Sequence, residues 1–151
     1  MRGTLLVAGF AALLAATTNA AEPALSPGLY RVEVRISLPN VQDVAAPLIV
    51  NRCIGFGELR SGQAFFVLSD NPLKACDLVD YEAKTDTAVY RIVCAGPNRG
   101  TAVGTFEIST TAYHGTIKMN MGGKNMTMSE VQIGTRIREC ETSADYGGNH
   151  R

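Results

Sequence analysis

The chain has 151 residues, 14 basic and 14 acidic side chains, four cysteines and no tryptophan. The length suits one domain with short extensions, and the charge balance leaves no electrostatic footprint for nucleic acid or an anionic membrane surface. An apolar fraction of 46% is normal for a globular chain and too high for a disordered one.

Residues 1–20 read as an address. Arg2 provides a basic start, Leu5 to Ala16 is an uncharged apolar run, and Thr18-Asn19-Ala20 places small residues at the first and third positions. That is the pattern of a secretory signal peptide. Cleavage is expected after Ala20, with Ala21 as the alternative. The apolar run is about twelve residues, against roughly 20 for a membrane span. Removing this segment takes Arg2 and leaves 13 basic and 14 acidic groups. The expected location is the periplasm or the exterior. A single β domain is expected over 21–140, with a polar, disordered tail over 141–151.

Gly28–Leu38 alternates apolar and polar residues and predicts a half-buried strand. Pro47–Ile54 predicts a second. Gly55–Gly62 suggests one helical turn, Ala64–Leu68 is ambiguous, and Ser69–Pro72 reads as a loop. Asp77–Lys84 and Thr87–Cys94 predict two strands around a Thr85-Asp86 turn. Thr101–Thr110 and Thr116–Met121 predict another pair, turning near Ala112–Gly115, and Asn125–Cys140 closes the fold. The fold class is therefore all-β: an antiparallel meander of about seven strands, strongly curved or a partly closed barrel, stapled by disulfides. No segment after residue 20 is apolar enough to span a membrane.

Cys53, Cys76, Cys94 and Cys140 allow three disulfide pairings. A hairpin centred on Thr85 opposes residues whose numbers sum to 170, as those of Cys76 and Cys94 do. That register favours Cys76–Cys94 and leaves Cys53–Cys140. The spacings lack the close pairs of zinc or redox sites.

The most distinctive chemistry lies in Lys118–Met128. A turn at Gly123-Lys124 opposes Met121 to Met126 and Met119 to Met128, so four thioethers share one side. They could be core residues. They could also form an adaptable apolar surface for a lipid-like ligand or an envelope partner, or a soft site for Cu(I). Along β-parity, Met126 and Met128 clash with Val131, Ile133 and Ile137. A bulge near Ser129-Glu130 would put all five on one face; alternatively the strand crosses between differently buried regions.

Catalytic candidates are weak, and no catalytic residue or cofactor is expected. His114 is expected in a solvated turn and His150 in the tail. Asp80 and Glu82 share a strand face, as a carboxylate pair would, but a solvated face fits them better. Asn125-Met126-Thr127 matches a glycosylation acceptor, relevant only in a eukaryote. The expected function is non-enzymatic binding of an apolar molecule or envelope partner. The alternatives are Cu(I) binding, and an enzyme inhibitor or hydrolase.

Several segments, in order, resemble the bacterial domain-of-unknown-function family 3617. Leu25-Ser26-Pro27-Gly28-Leu29-Tyr30 resembles its Leu-x-Pro-Gly-Leu-Trp opening, with Tyr30 in place of Trp. Cys76 to Pro97 resembles its paired-cysteine hairpin. Gly115–Met121 with Met126-Thr127-Met128 resembles its methionine hairpin, and Arg136–Cys140 its closing segment. Gly55-Phe56-Gly57-Glu58 departs from the family's Thr-Pro-Glu-type helix start. The resemblance covers about residues 25–140 and implies an exported Gram-negative protein, with no activity or ligand attached.

Overall fold

A computed structural model describes residues 22–39, 46–96, 99–123 and 126–141. The expected signal peptide, the Gly123-Lys124 turn at Lys124, Asn125 of the glycosylation pattern, and residues 142–151 with His150 lie outside the described residues.

Among the described residues, seven strands form one antiparallel sheet. They are β1 (Gly28–Ser37), β2 (Leu48–Ile54), β3 (Asp77–Ala83), β4 (Thr87–Val93), β5 (Thr101–Ile108), β6 (Ala112–Asn120) and β7 (Thr127–Arg138). The spatial order is β2-β1-β7-β6-β5-β4-β3. Strands β3 to β7 form the expected meander, and β1 then pairs with β7 on one side and β2 on the other. The edges β2 and β3 do not pair, so the sheet stays open and only slightly curled rather than closing into a barrel.

An open sheet must cover its apolar face by other means. Here the connection from β2 to β3 does so, joining the two edge strands through one helix, α1 (Phe56–Ser61), and two 3-10 turns, Gln63–Phe65 and Pro72–Ala75. Helix α1 starts where the Glu58 carboxylate accepts the Gly55 N–H at 2.9 Å, and it ends at Gly62, whose φ of 79° is left-handed. The connection buries Leu59, Ala64, Phe65, Val67 and Leu73 against the sheet. The lead-in also contributes: Leu25 is buried, and the Ala24 and Ser26 N–H groups donate to Thr85 and Thr110 carbonyls at the ends of two hairpins.

Inside, three rings lie over glycines. Tyr90 is paired with Gly104, Phe106 with Gly115, and Tyr113 with Gly134, each across one strand boundary. A Cβ on any of these glycines would overlap the ring of its partner. The result is a staircase of aromatics over β4 to β7, with ring centroids 6.0 Å apart at each step, and Phe65 of the connection packs at 5.1 Å from Phe106 and 5.3 Å from Tyr113. A glycine in a strand interior admits such close approach. This explains one correction. Ala112–Gly115, expected as a turn, is the start of β6; the turn lies at Thr110-Thr111, closed by Ser109 and Ala112. Gly115 marks the seat of a ring and not a reversal.

The cysteine hairpin carries a second lesson. Near the turn, Ala83 opposes Ala88 and Lys84 bonds to Thr87, which a two-residue Thr85-Asp86 turn requires; at the open end Asp77 opposes Val93, the register that faces Cys76 to Cys94. The two registers differ by one residue. A bulge between Val79 and Glu82 absorbs it, with Asp80 at φ 53°. Cys76–Cys94 and Cys53–Cys140 are both disulfide-bonded, with Cα separations of 4.7 and 5.9 Å.

Candidate functional site

Strand β7 does not bulge at Ser129-Glu130. Its register with β6 is unbroken from Thr127 to Thr135, and with β1 from Ser129 to Arg136. Met128, Glu130, Gln132 and Gly134 therefore share the inner face, while Val131, Ile133 and Thr135 face outward. Ile133 is 42% exposed and Glu130 fully buried. The parity conflict in the sequence was real, and its resolution is an inverted pattern: polar inside, apolar outside.

The buried carboxylate is held by the connection. Glu130 accepts from the backbone N–H of Leu68 at 2.9 Å and of Ser69 at 3.0 Å, from the Ser69 hydroxyl, and from the Gln132 amide at 2.6 Å. Gln132 also donates to the Phe66 carbonyl at 2.8 Å, and Asn71 donates to the Ser69 hydroxyl at 2.8 Å. These bonds satisfy a group that would otherwise be too costly to bury. They pin residues 66–71 onto the middle of the sheet. On the other side, Arg52 of β2 bonds Glu58 of α1 at 2.9 Å and the Gln63 carbonyl at 3.2 Å, fixing the start of the same connection.

The tyrosines mark how dry this interior is. Burial pushes the Tyr30 hydroxyl up to about 12, and that of Tyr81 also to about 12. Burial raises Tyr90 and Tyr113 too, with the Glu130 charge adding to each. Tyr30, Tyr81 and Tyr90 donate to the carbonyls of Ser26, Leu59 and Phe65 at 2.6, 2.8 and 2.7 Å.

The methionine hairpin lies at the other end of β6 and β7. Met119 directly opposes Met128, and the Met121 N–H donates to the Met126 carbonyl at 2.8 Å. The four side chains grade from core to solvent: Met119 is 2% exposed, Met121 and Met128 are partly buried against the core, and Met126 is 59% exposed. Beside them is an open hollow of about 540 Å³ at the ends of β1, β5, β6 and β7, with Leu38, Pro39, Val103, Met119 and Met128 among its apolar walls. Its polar walls are Ser37, Thr101, Lys118, Asn120, Thr127 and Ser129.

His114 is not in a turn. It is an exposed residue of β6, opposite Glu107 and Ile133, on the face away from the methionines, so it does not join them. Asp80 sits in the bulge and bonds Arg91 at 2.9 Å, so it does not stand with Glu82 as a regular strand pair. Among the described residues, no group of three His, Cys, Asp or Glu side chains could hold a metal ion. No helix among them is long and apolar enough to cross a membrane.

Glu130 and Gln132 are the site-shaping residues that the sequence reading missed. Their signal was the mismatch between Met128 and Val131. The hollow had no such signal, because its wall is assembled from strands far apart in the chain.

These features define a disulfide-stapled, open antiparallel sheet covered on one face by its own β2–β3 connection. Two disulfides fit an oxidising, extracytoplasmic setting. The family model of a protein of unknown function, DUF3617, matches residues 25–140, and the chain belongs to this family. No curated protein and no solved structure matches the chain.

Proposed function

We infer that this is an exported, periplasmic, non-enzymatic protein that holds a small molecule with an apolar part in the hollow beside the methionine hairpin. The observation that carries this reading is the hollow itself, of about 540 Å³, with Met119 and Met128 in its wall. Its volume falls within the range of small-molecule sites, roughly 300–1,000 Å³. The hollow opens on the outward face of the sheet, where the side chains of Val103, Lys118 and Ser129 stand in one cross-strand row. Leu38 and Val103, both 46% exposed, supply apolar surface to it.

The test is mass spectrometry of organic extracts from protein isolated from the periplasm, followed by titration of stripped protein with dodecanol. A co-purified apolar species, and saturable dodecanol binding weakened at least about tenfold by Leu38→Asp with Val103→Asp, is the expected result. Absence of saturable binding overturns it. Cu(I) is the competing occupant of the thioethers. Cu(I) binding abolished by Met119→Leu with Met121→Leu, and no binding of dodecanol, would replace this reading with the copper one.

A further inference from the structure

The hollow is not uniformly apolar, and its polar side has an order that the sheet register reveals. One cross-strand row on the outer face runs Ser37, Ser129, Lys118 and Val103. The next row runs Thr127, Asn120 and Thr101. Lys118 is thus set among hydroxyls and an amide: Ser129 is beside it in its own row, and Asn120, Thr101 and Thr127 are diagonal or next-but-one neighbours. All of them line the hollow.

Among the described residues, Lys118 is the one charged residue in that wall. It has no salt-bridge partner among the described residues. The acidic residues of the outer face nearest to it along the strands, Glu107 and Glu33, fall on the row of His114 and Ile133, four residues away, or about 13 Å. Glu33 is also held by Arg35 at 2.5 Å, and Asp80 by Arg91. Arg35 and Arg91 of this face are therefore each paired, and Lys118 is not. An ammonium with no ion-pair partner among the described residues, flanked by hydroxyl and amide groups and bordered by Leu38 and Val103, complements a head bearing one negative charge joined to an apolar body.

We propose that the hollow takes an anionic amphiphile, with a monoanionic carboxylate head at Lys118 and its chain along the apolar wall. This rests on the hollow being a ligand site at all, and it adds the charge and polarity of the ligand. A neutral amphiphile of the same chain length gains only the apolar wall. A cationic one meets the ammonium and is disfavoured.

The experiment is calorimetric titration of the full exported chain, stripped of bound lipid, with laurate, dodecanol and dodecyltrimethylammonium at low salt. Laurate is expected to bind at least about tenfold more tightly than dodecanol, and dodecyltrimethylammonium more weakly than either. Lys118→Glu is expected to weaken laurate at least about tenfold and leave dodecanol unchanged, and added salt to weaken laurate alone. Lys118 is exposed, so the variant keeps its fold, and Lys84→Glu, an equal charge change at the far hairpin, is expected to have no effect. Laurate binding that equals dodecanol binding, or that survives Lys118→Glu, overturns the assignment while leaving the apolar site standing. Failure of both laurate and dodecanol to bind overturns the site itself.

Discussion

The β6–β7 ladder is built in two ways. At one end Tyr113 lies over Gly134, and a rigid ring fills a space that only a missing Cβ leaves open. At the other end Met119 faces Met128, two unbranched side chains that can repack. Between them, on the same face of β7, Glu130 and Gln132 bind the connection that crosses the sheet. The same two strands thus carry an inner face of fixed shape at one end and an adaptable one at the other, while their outward residues at that second end line the hollow.

Alkali should break the rigid end most completely. The buried tyrosines keep their protons more tightly in the folded chain than in the unfolded one, because folding raises their pKa. Their contribution is complete below the unfolded value near 10 and is lost as pH rises toward the folded values, about 12 for Tyr30 and Tyr81. Ionisation followed at 295 nm is expected to be delayed and then to coincide with loss of far-ultraviolet sheet signal above pH 10. Ionisation near pH 10 with the sheet intact would show these hydroxyls to be solvated.

Glu130→Ala comes next. It strands the Leu68 and Ser69 N–H groups in a buried site, and a loss of about 3–5 kcal/mol is expected in urea unfolding. Gly134→Ala is smaller: a Cβ must displace the Tyr113 ring, at about 1–3 kcal/mol. A neutral outcome there would mean that the ring seat is not tight. Met119→Leu, nearly isosteric, should cost under about 1.5 kcal/mol. Mild peroxide should convert Met126 to the sulfoxide before Met121 and Met128, and Met119 last, following exposure. Peptide mapping of partly oxidised protein reads that order directly, and equal rates at Met119 and Met126 would erase the contrast between core and rim.

Much of the fold was legible where local chemistry fixes pairing. Constant-sum hairpin registers placed Met119 opposite Met128, and alternation in Gly28–Leu38 marked β1. Cysteine arithmetic anticipated the Cys76–Cys94 clasp, although it missed the bulge that reconciles it with the turn. What misled was the assumption that apolar side chains define the inner face. In β7, Val131 and Ile133 lie outside because hydrogen bonds with the connection make burial of Glu130 and Gln132 affordable, and those partners are about sixty residues away in sequence. Gly115 misled for a similar reason, since the ring that explains it belongs to another strand. The hollow and its lysine were illegible, because neither exists until β1, β5, β6 and β7 are side by side.

The position of β7 sets the order in which this chain can become a protein. Strands β1 and β2 are one hydrogen-bonded block and β3 to β6 another, and only β7 pairs with both, through β1 and β6. It is also the last of the seven to be synthesised. The central seam of the sheet is therefore sewn by its final thread, joining segments about a hundred residues apart, with Cys53–Cys140 fastening the same seam. Pairings of such long range form slowly. A partly made chain has no route to the complete sheet, which waits for residues 127–138.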